Sequence, residues 1–167
     1  MPQPCSDPLD LFFEKLTAKH VHAPRGDATT SASSGAVRRR RIVIADDNQD
    51  TAESLRMLLE LDGHVVRTTQ DGEGAIELAR SVKPDFLLLD IGMPKRNGYE
   101  VARHIRMQPW GREMRLVAIT GWGQPEDRTL AIEAGFDYHL TKPVSLADLA
   151  EILNAKGVYA LLAQRKG

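Results

Sequence analysis

Phe86-Leu87-Leu88-Leu89-Asp90 restricts the folds open to this chain more than any other stretch. An uninterrupted apolar run of this length reads as a strand buried on both faces, because a half-exposed strand would alternate. The run stops at a carboxylate, and Gly92 and Pro94, both breakers of regular structure, follow closely. Ligand sites of open α/β sheets lie at the carboxyl ends of strands, so Asp90 stands where chemistry is expected. A single strand-final aspartate is more often only the start of a loop. Its meaning depends on how the other strands end.

From Arg41 onward, strand and helix patterns alternate five times. Arg41 to Ala45 reads as a first strand. Asp50 to Leu61 reads as a helix with Ala52, Leu55, Leu58 and Leu59 on one face and Gly63 as its stop. His64 to Thr68 is the second strand, and Gly72 to Ser81 a helix turning Ala75, Ile76 and Ala79 inward. After the Phe86–Asp90 strand come a helix from Gly98 to Met107, a strand from Leu116 to Thr120 and a helix from Pro125 to Ala134. Asp137 to Thr141 forms a short fifth strand, and Ser145 caps a last helix running to about Ala155. This alternation predicts an α/β fold: a doubly wound, five-stranded parallel sheet with helices on both faces. Right-handed crossovers leave few topologies for it.

The 167 residues allow one such domain with extensions on either side. We expect an N-terminal extension over 1–40, the folded domain over 41–157 and a tail over 158–167. Within the extension, Ser6 or Asp7 can cap a short helix to residue 20, with Leu9, Phe12, Phe13 and Leu16 on one face. The Ala, Ser, Thr, Gly and Pro content of 21–37 reads as a flexible linker. His20 and His22 lack further ligands and make a poor metal site. The basic run Arg38 to Arg41 has no recognition helix or aromatic platform beside it, so a solvated linker end is the expectation. A net charge of −1 provides no global field toward nucleic acid or membrane. The lone Cys5 excludes an intramolecular disulfide and fits a reducing compartment. No secretory signal and no membrane span is legible, and a soluble cytoplasmic protein is the default expectation. Because the sequence ends soon after the fifth helix, no DNA-binding or catalytic output domain is expected.

Three further strand ends give Asp90 its company. The first strand runs into Asp46-Asp47, the fourth ends at Thr120-Gly121, and the fifth leads to Thr141-Lys142-Pro143. In a parallel sheet all of these share one edge, so carboxylates, a hydroxyl and an ammonium converge on one crevice. Each also has an ordinary reading: Asp47 or Asn48 as a helix cap, Thr120 as a β-former, Lys142 as a surface lysine. Clustered carboxylates repel one another, and a divalent cation relieves the repulsion. Hard oxygen donors with room for water suit Mg²⁺. A metal beside a carboxylate, with lysine and hydroxyl nearby, meets the needs of phosphoryl transfer.

The set Asp46-Asp47, Asp90, Thr120-Gly121 and Lys142-Pro143 resembles the receiver domain of two-component response regulators. Asp90-Ile91-Gly92-Met93-Pro94 followed by Asn97-Gly98-Tyr99-Glu100 resembles that family's phosphoacceptor loop. The likeness covers about Arg41 to Ala155 and implies the strand order 2-1-3-4-5. It implies that Asp90 is the nucleophile that takes a phosphoryl group from a histidine kinase and becomes an aspartyl phosphate. It implies that Asp47, Asp90 and the Gly92 carbonyl ligate Mg²⁺, with Asp46 acting largely through water. Lys142 and the Thr120 hydroxyl would each hold a phosphoryl oxygen, Gly121 would keep the approach open, and the Lys142–Pro143 bond is a candidate cis peptide. The switch position three residues before the lysine usually carries Tyr or Phe, and here it carries His139.

The expected function is that of a stand-alone response regulator, not an enzyme beyond slow self-dephosphorylation. Its partners would be a sensor histidine kinase or a histidine phosphotransfer protein. A protein target would bind the face made by the fourth helix, fifth strand and fifth helix. One alternative is a phosphate shuttle or sink that passes the group onward to a phosphotransfer histidine. A second is a Mg²⁺-dependent phosphohydrolase, which would want an acid/base carboxylate two residues after the nucleophile, where Gly92 stands.

Overall fold

Alternation inside the apolar runs decides the architecture. In the computed structural model, which describes residues 38–121 and 125–154, β1 (Arg41–Ala45), β2 (Val65–Thr69), β3 (Phe86–Asp90), β4 (Arg115–Thr120) and β5 (Tyr138–Thr141) form one parallel sheet. The order is β2-β1-β3-β4-β5, with β3 central. Successive residues of a strand face opposite ways. Leu87 and Leu89 therefore join one core layer while Phe86 and Leu88 join the other. Every residue of β3 is buried, which is why its sequence shows no polar alternation. At roughly 1.5–3 kcal/mol for each fully buried large apolar side chain, this strand anchors both layers.

The helices divide between the two faces. On one lie α2 (Gly72–Val82), α3 (Gly98–Met107) and α4 (Pro125–Ala134), through Ala75, Ala79, Val101, Ile105, Ala131 and Ala134. On the other lie α1 (Gln49–Leu61) and α5 (Leu146–Asn154), through Ala52, Leu55, Leu59, Leu149, Ile152 and Leu153. Helix starts are encoded locally: Asn48 caps α1 by accepting from Thr51 N–H, Asp71 caps α2 from Gly74 N–H, and Asn97 with Glu100 forms a capping box on α3. Gly63, at φ +89°, ends the turn after α1 in a conformation that side chains rarely adopt.

Several expected boundaries move. His64 lies outside β2, because its N–H still closes the end of α1 by donating to the Leu59 carbonyl. Arg115 joins β4, whereas Asp137 is left out of β5. A 3₁₀ turn at Pro109–Gly111 was not legible in the pattern. Leu58, expected inward, is 37% exposed, since the α1 stripe that reaches the sheet is the narrower Ala52, Leu55, Leu59. The expected helix to residue 20, the linker 21–37 and everything from Ala155 on lie outside the described residues. Among the described residues no helix is long and apolar enough to cross a membrane.

Candidate functional site

The carboxyl edge of the sheet collects the residues that end its strands. Asp90 closes β3 and is 6% exposed; Asp46 follows β1 and is 2% exposed; Asp47 beside it is exposed. One carboxylate oxygen from each of the three lies within 4.8 Å of the others. Backbone amides orient two of them: Asp46 Oδ1 accepts from Asn48 N–H at 2.9 Å, and Asp90 Oδ1 accepts from Gly92 N–H at 3.1 Å. The free oxygens Asp46 Oδ2 and Asp90 Oδ2 both accept from Lys142 Nζ, each at 3.0 Å. Burial works against the Lys142 charge, but its hydrogen bonds to Asp46 and Asp90 outweigh this and hold its pKa above the ordinary lysine value.

Local backbone features aim these groups. The sheet continues one bond past β3, where Ile91 N–H donates to the Ile119 carbonyl, and Gly98 N–H then turns back to the Ile91 carbonyl. A Cβ at Gly98 would stand 2.9 Å from the Asp90 carbonyl, so only glycine lets α3 start this close to the strand end. A Cβ at Gly121 would meet nothing within 4 Å. Packing therefore does not demand glycine there, and the open space faces solvent. The Lys142–Pro143 peptide is cis, and Lys142 N–H donates to the Thr120 carbonyl at 2.7 Å, which ties the β5 end to the β4 end.

Thr120 and His139 meet on one face of the sheet. Ala118 pairs with His139 and Thr120 with Thr141, so residues two apart bring the ring beside the hydroxyl. Thr120 is 4% exposed and His139 9%, and Thr120 Oγ1 lies 3.2 Å from His139 Nε2. Burial pushes the imidazole pKa below its ordinary value, and Arg128 adds to this against the opposing pull of Asp127. The structure thus gathers Asp46, Asp47, Asp90, Gly92 and Lys142 into one cluster and couples Thr120 to His139.

Sequence patterns missed the groove beside Lys142. Leu55, Leu58, Pro143, Val144 and Leu146 line an open, largely apolar space of about 770 Å³ next to the carboxylates. The available signal was the apolar Pro143-Val144 after the lysine, together with a leucine on α1 lying off its buried stripe.

Comparison with known proteins bears on this geometry. The family model described as the response regulator receiver domain matches residues 42–154. The chain belongs to that family. A 14.6 kDa protein of Leptolyngbya boryana is 33% identical over 112 residues, covering 67% of this chain and 86% of that protein. The response regulator MprA of Mycolicibacterium vanbaalenii is 35% identical over 115 residues, 69% of this chain and 49% of MprA. The chain thus spans about half the length of the MprA relatives it matches. Among solved structures, the receiver domain of the sensor histidine kinase PA1611 from Pseudomonas aeruginosa superposes with a TM-score of 0.64 at 30% identity, covering 69% of this chain and 94% of that one. That receiver holds a magnesium ion in its active-site cleft. The five-stranded parallel sheet with helices on both faces is the receiver fold, and receivers bind Mg²⁺ at an acidic pocket of the kind formed here by Asp46, Asp47 and Asp90.

Proposed function

We propose that this receiver accepts a phosphoryl group on Asp90 from the phosphohistidine of a histidine kinase or histidine phosphotransfer protein, and that the product changes which partner it binds. The observation that carries the reading is the three-carboxylate cluster within 4.8 Å, with one lysine bonded to two of its members. A carboxylate oxygen of Asp90 forms the new P–O bond while the P–N bond breaks, and the electron pair of that bond stays on the departing imidazole. Asp46, Asp47, Asp90 and the Gly92 carbonyl would hold Mg²⁺, and their all-oxygen donor set fits that ion. When bound, the metal neutralises charge on the phosphoryl oxygens. Lys142 is held ready by its bonds to Asp46 and Asp90, and it would exchange the latter for a phosphoryl oxygen. The Thr120 hydroxyl would leave His139 for another phosphoryl oxygen, freeing the ring to move.

The apolar groove along α1 lies beside Lys142 and suits the apolar face of a helix on the phosphodonor. The phosphorylation-sensitive face would be α4, β5 and α5, which border Thr120 and His139. We read the molecule as a cytoplasmic signalling protein with a receiver over 41–157, an N-terminal extension and a short tail, acting without nucleic acid. The Leptolyngbya relative, whose length is mostly receiver, supports a stand-alone role. The reading also makes it a switch and not a turnover enzyme, since Gly92 stands where a phosphohydrolase would need an acid/base carboxylate.

Incubation with Mg²⁺ and a small phosphodonor, read by intact mass, tests this. One added phosphoryl group that is absent in Asp90→Asn supports the reading, and label persisting in that variant overturns it. Transfer of the label to an added histidine phosphotransfer protein identifies a shuttle.

A further inference from the structure

The loop that follows Asp90 leaves β3 and returns to regular structure at Asn97, the cap of α3. Its first half is tied to the sheet. Ile91 N–H donates to the Ile119 carbonyl, and Met93 is buried in one core layer. Gly92 between them is exposed and anchored through its N–H to Asp90 Oδ1. The second half of the loop leans on a different element, the start of α2.

Three successive residues there, Asp71, Gly72 and Glu73, meet Lys95 and Arg96. Lys95 Nζ donates to Asp71 Oδ2 at 2.7 Å, and Arg96 Nε pairs with Glu73 Oε1 at 2.8 Å. Between the two ion pairs the backbones touch. A Cβ on Gly72 would stand 2.6 Å from the Arg96 carbonyl oxygen and 2.8 Å from the Arg96 Cβ, closer than real side chains approach. Helix start and loop therefore fit together because residue 72 has no side chain.

The partners are shaped for this contact. Asp71 Oδ1 caps α2 by accepting from Gly74 N–H at 2.8 Å, which leaves Oδ2 for the loop. Lys95 holds a left-handed backbone, φ +66°, which costs a lysine free energy, and Arg96 N–H closes a tight turn on the Pro94 carbonyl at 2.8 Å. Such a conformation persists where its surroundings over-determine it. Taken singly the ion pairs are weak, since the Lys95 side chain is 64% exposed and that of Arg96 40%. Flanking one close backbone contact, they resist movement of the loop as a unit.

We propose that Asp71, Gly72, Glu73, Lys95 and Arg96 are positioning residues of the phosphoacceptor site: they brace the loop against α2 so that the Gly92 carbonyl is preset for the cation. The inference rests on the Mg²⁺ reading above. None of the five touches the metal or the phosphoryl group. A loop ordered only on binding would lose affinity to that ordering, and a braced loop avoids the loss.

The test reads the loop without metal first and Mg²⁺ second, in the full chain. In metal-free protein, amide hydrogen exchange at Gly92 and Arg96 should rise about tenfold in Asp71→Asn and in Lys95→Asn, while Gly74 keeps its protection. Asparagine preserves the cap at 71 and tolerates the left-handed backbone at 95, so each variant removes the charge and leaves the local fold. Urea midpoints should stay at the parental value. Mg²⁺, followed through the Asp47 amide resonance, should bind each variant about threefold more weakly, and Lys95→Arg should keep the parental affinity. Gly72→Ala, which forces the backbones apart, should weaken Mg²⁺ by about tenfold. If that variant unfolds, the two asparagine variants decide the question. Exchange at Gly92 and Arg96 equal to the parent in both of them overturns the brace. Faster exchange with unchanged Mg²⁺ affinity overturns the positioning role, as does an equal loss of affinity in Lys95→Arg. A parent that binds no Mg²⁺ sinks the metal reading and this proposal with it, whereas failure confined to the variants sinks the brace alone.

Discussion

The two edges of the sheet are made by the same five strands and carry opposite chemistry. At the carboxyl edge, Asp46, Asp47 and Asp90 crowd together with one lysine between them. At the amino edge, Arg41 and Arg106 donate to backbone carbonyls at the ends of helices and loops. Arg106 is the clearest case: it donates to the carbonyls of Gly135, Gly111 and Met114 at 2.7–2.8 Å and pairs with Asp137 at 2.6 Å. Asp137 in turn accepts from Leu116 N–H, which fixes the start of β4. One edge crowds like charges around a single lysine, and at the other Arg106 uses an opposite charge and backbone carbonyls to close the fold.

The largest expected effect is chemical and belongs to the carboxyl edge. Asp90→Asn should abolish phosphoryl labelling while leaving unfolding free energy unchanged or raised by up to about 1 kcal/mol without metal, because a like charge is removed. Intact mass and urea unfolding of the same preparation read both arms. A clear loss of stability would break the contrast between the edges.

Arg106→Ala, at the other edge, should do the reverse. It removes an ion pair and leaves several carbonyls without donors, so unfolding free energy should fall by about 2–4 kcal/mol, with labelling of the folded fraction preserved. A cost below about 0.5 kcal/mol by chemical denaturation would mean that Arg106 is not a staple.

Magnesium sharpens the comparison further. At a concentration about a hundredfold above its Kd, the ion should stabilise the parent by about 2.7 kcal/mol. Asp47→Ala should lose most of that gain, whereas Arg106→Ala should retain it. Thermal unfolding with and without Mg²⁺ measures both, and an undiminished shift in Asp47→Ala would remove Asp47 from the metal site.

The smallest effect uses one histidine near each edge. His64 Nδ1 accepts from Arg40 N–H at 3.2 Å at the amino edge, and His139 lies 3.2 Å from the Thr120 hydroxyl near the other. Burial lowers both pKa values from 6.5, so the folded chain holds fewer protons than the unfolded chain just below that pH. Their contribution to stability is thus complete above about pH 6.5 and is lost as pH falls through the folded-state values. His64→Ala and His139→Phe should each flatten this acid-side slope in unfolding curves. Only His139→Phe should also alter how phosphorylation changes hydrogen exchange over 125–134. An identical exchange response in that variant would make His139 a bystander.

Much of this was local and therefore legible. Continuous apolar runs gave away doubly covered strands, Asn48 stood as a candidate cap of the first helix, and a carboxylate at the end of an apolar run marked Asp90, whereas the caps at Asp71 and Asn97 came only with the structure. Boundaries slipped where a bond from elsewhere extended an element, as when β4 gained Arg115 by pairing with Phe86. Leu58 was misassigned because periodicity fixes a helix face without saying how wide a stripe the sheet can cover.

By itself the sequence determined the alternation of strand and helix, and with it the residues that end β1, β3, β4 and β5, because these follow from spacing along the chain. Contacts between residues far apart in the chain belonged to the tertiary structure alone. It set the distance that brings three carboxylates within 4.8 Å, the β4–β5 register that puts His139 against Thr120, and the gathering of Arg40 and Arg115 on one ring. The physical reason is that charge and hydrogen-bond energies depend on separation in space, and pattern along a chain specifies separation only between near neighbours.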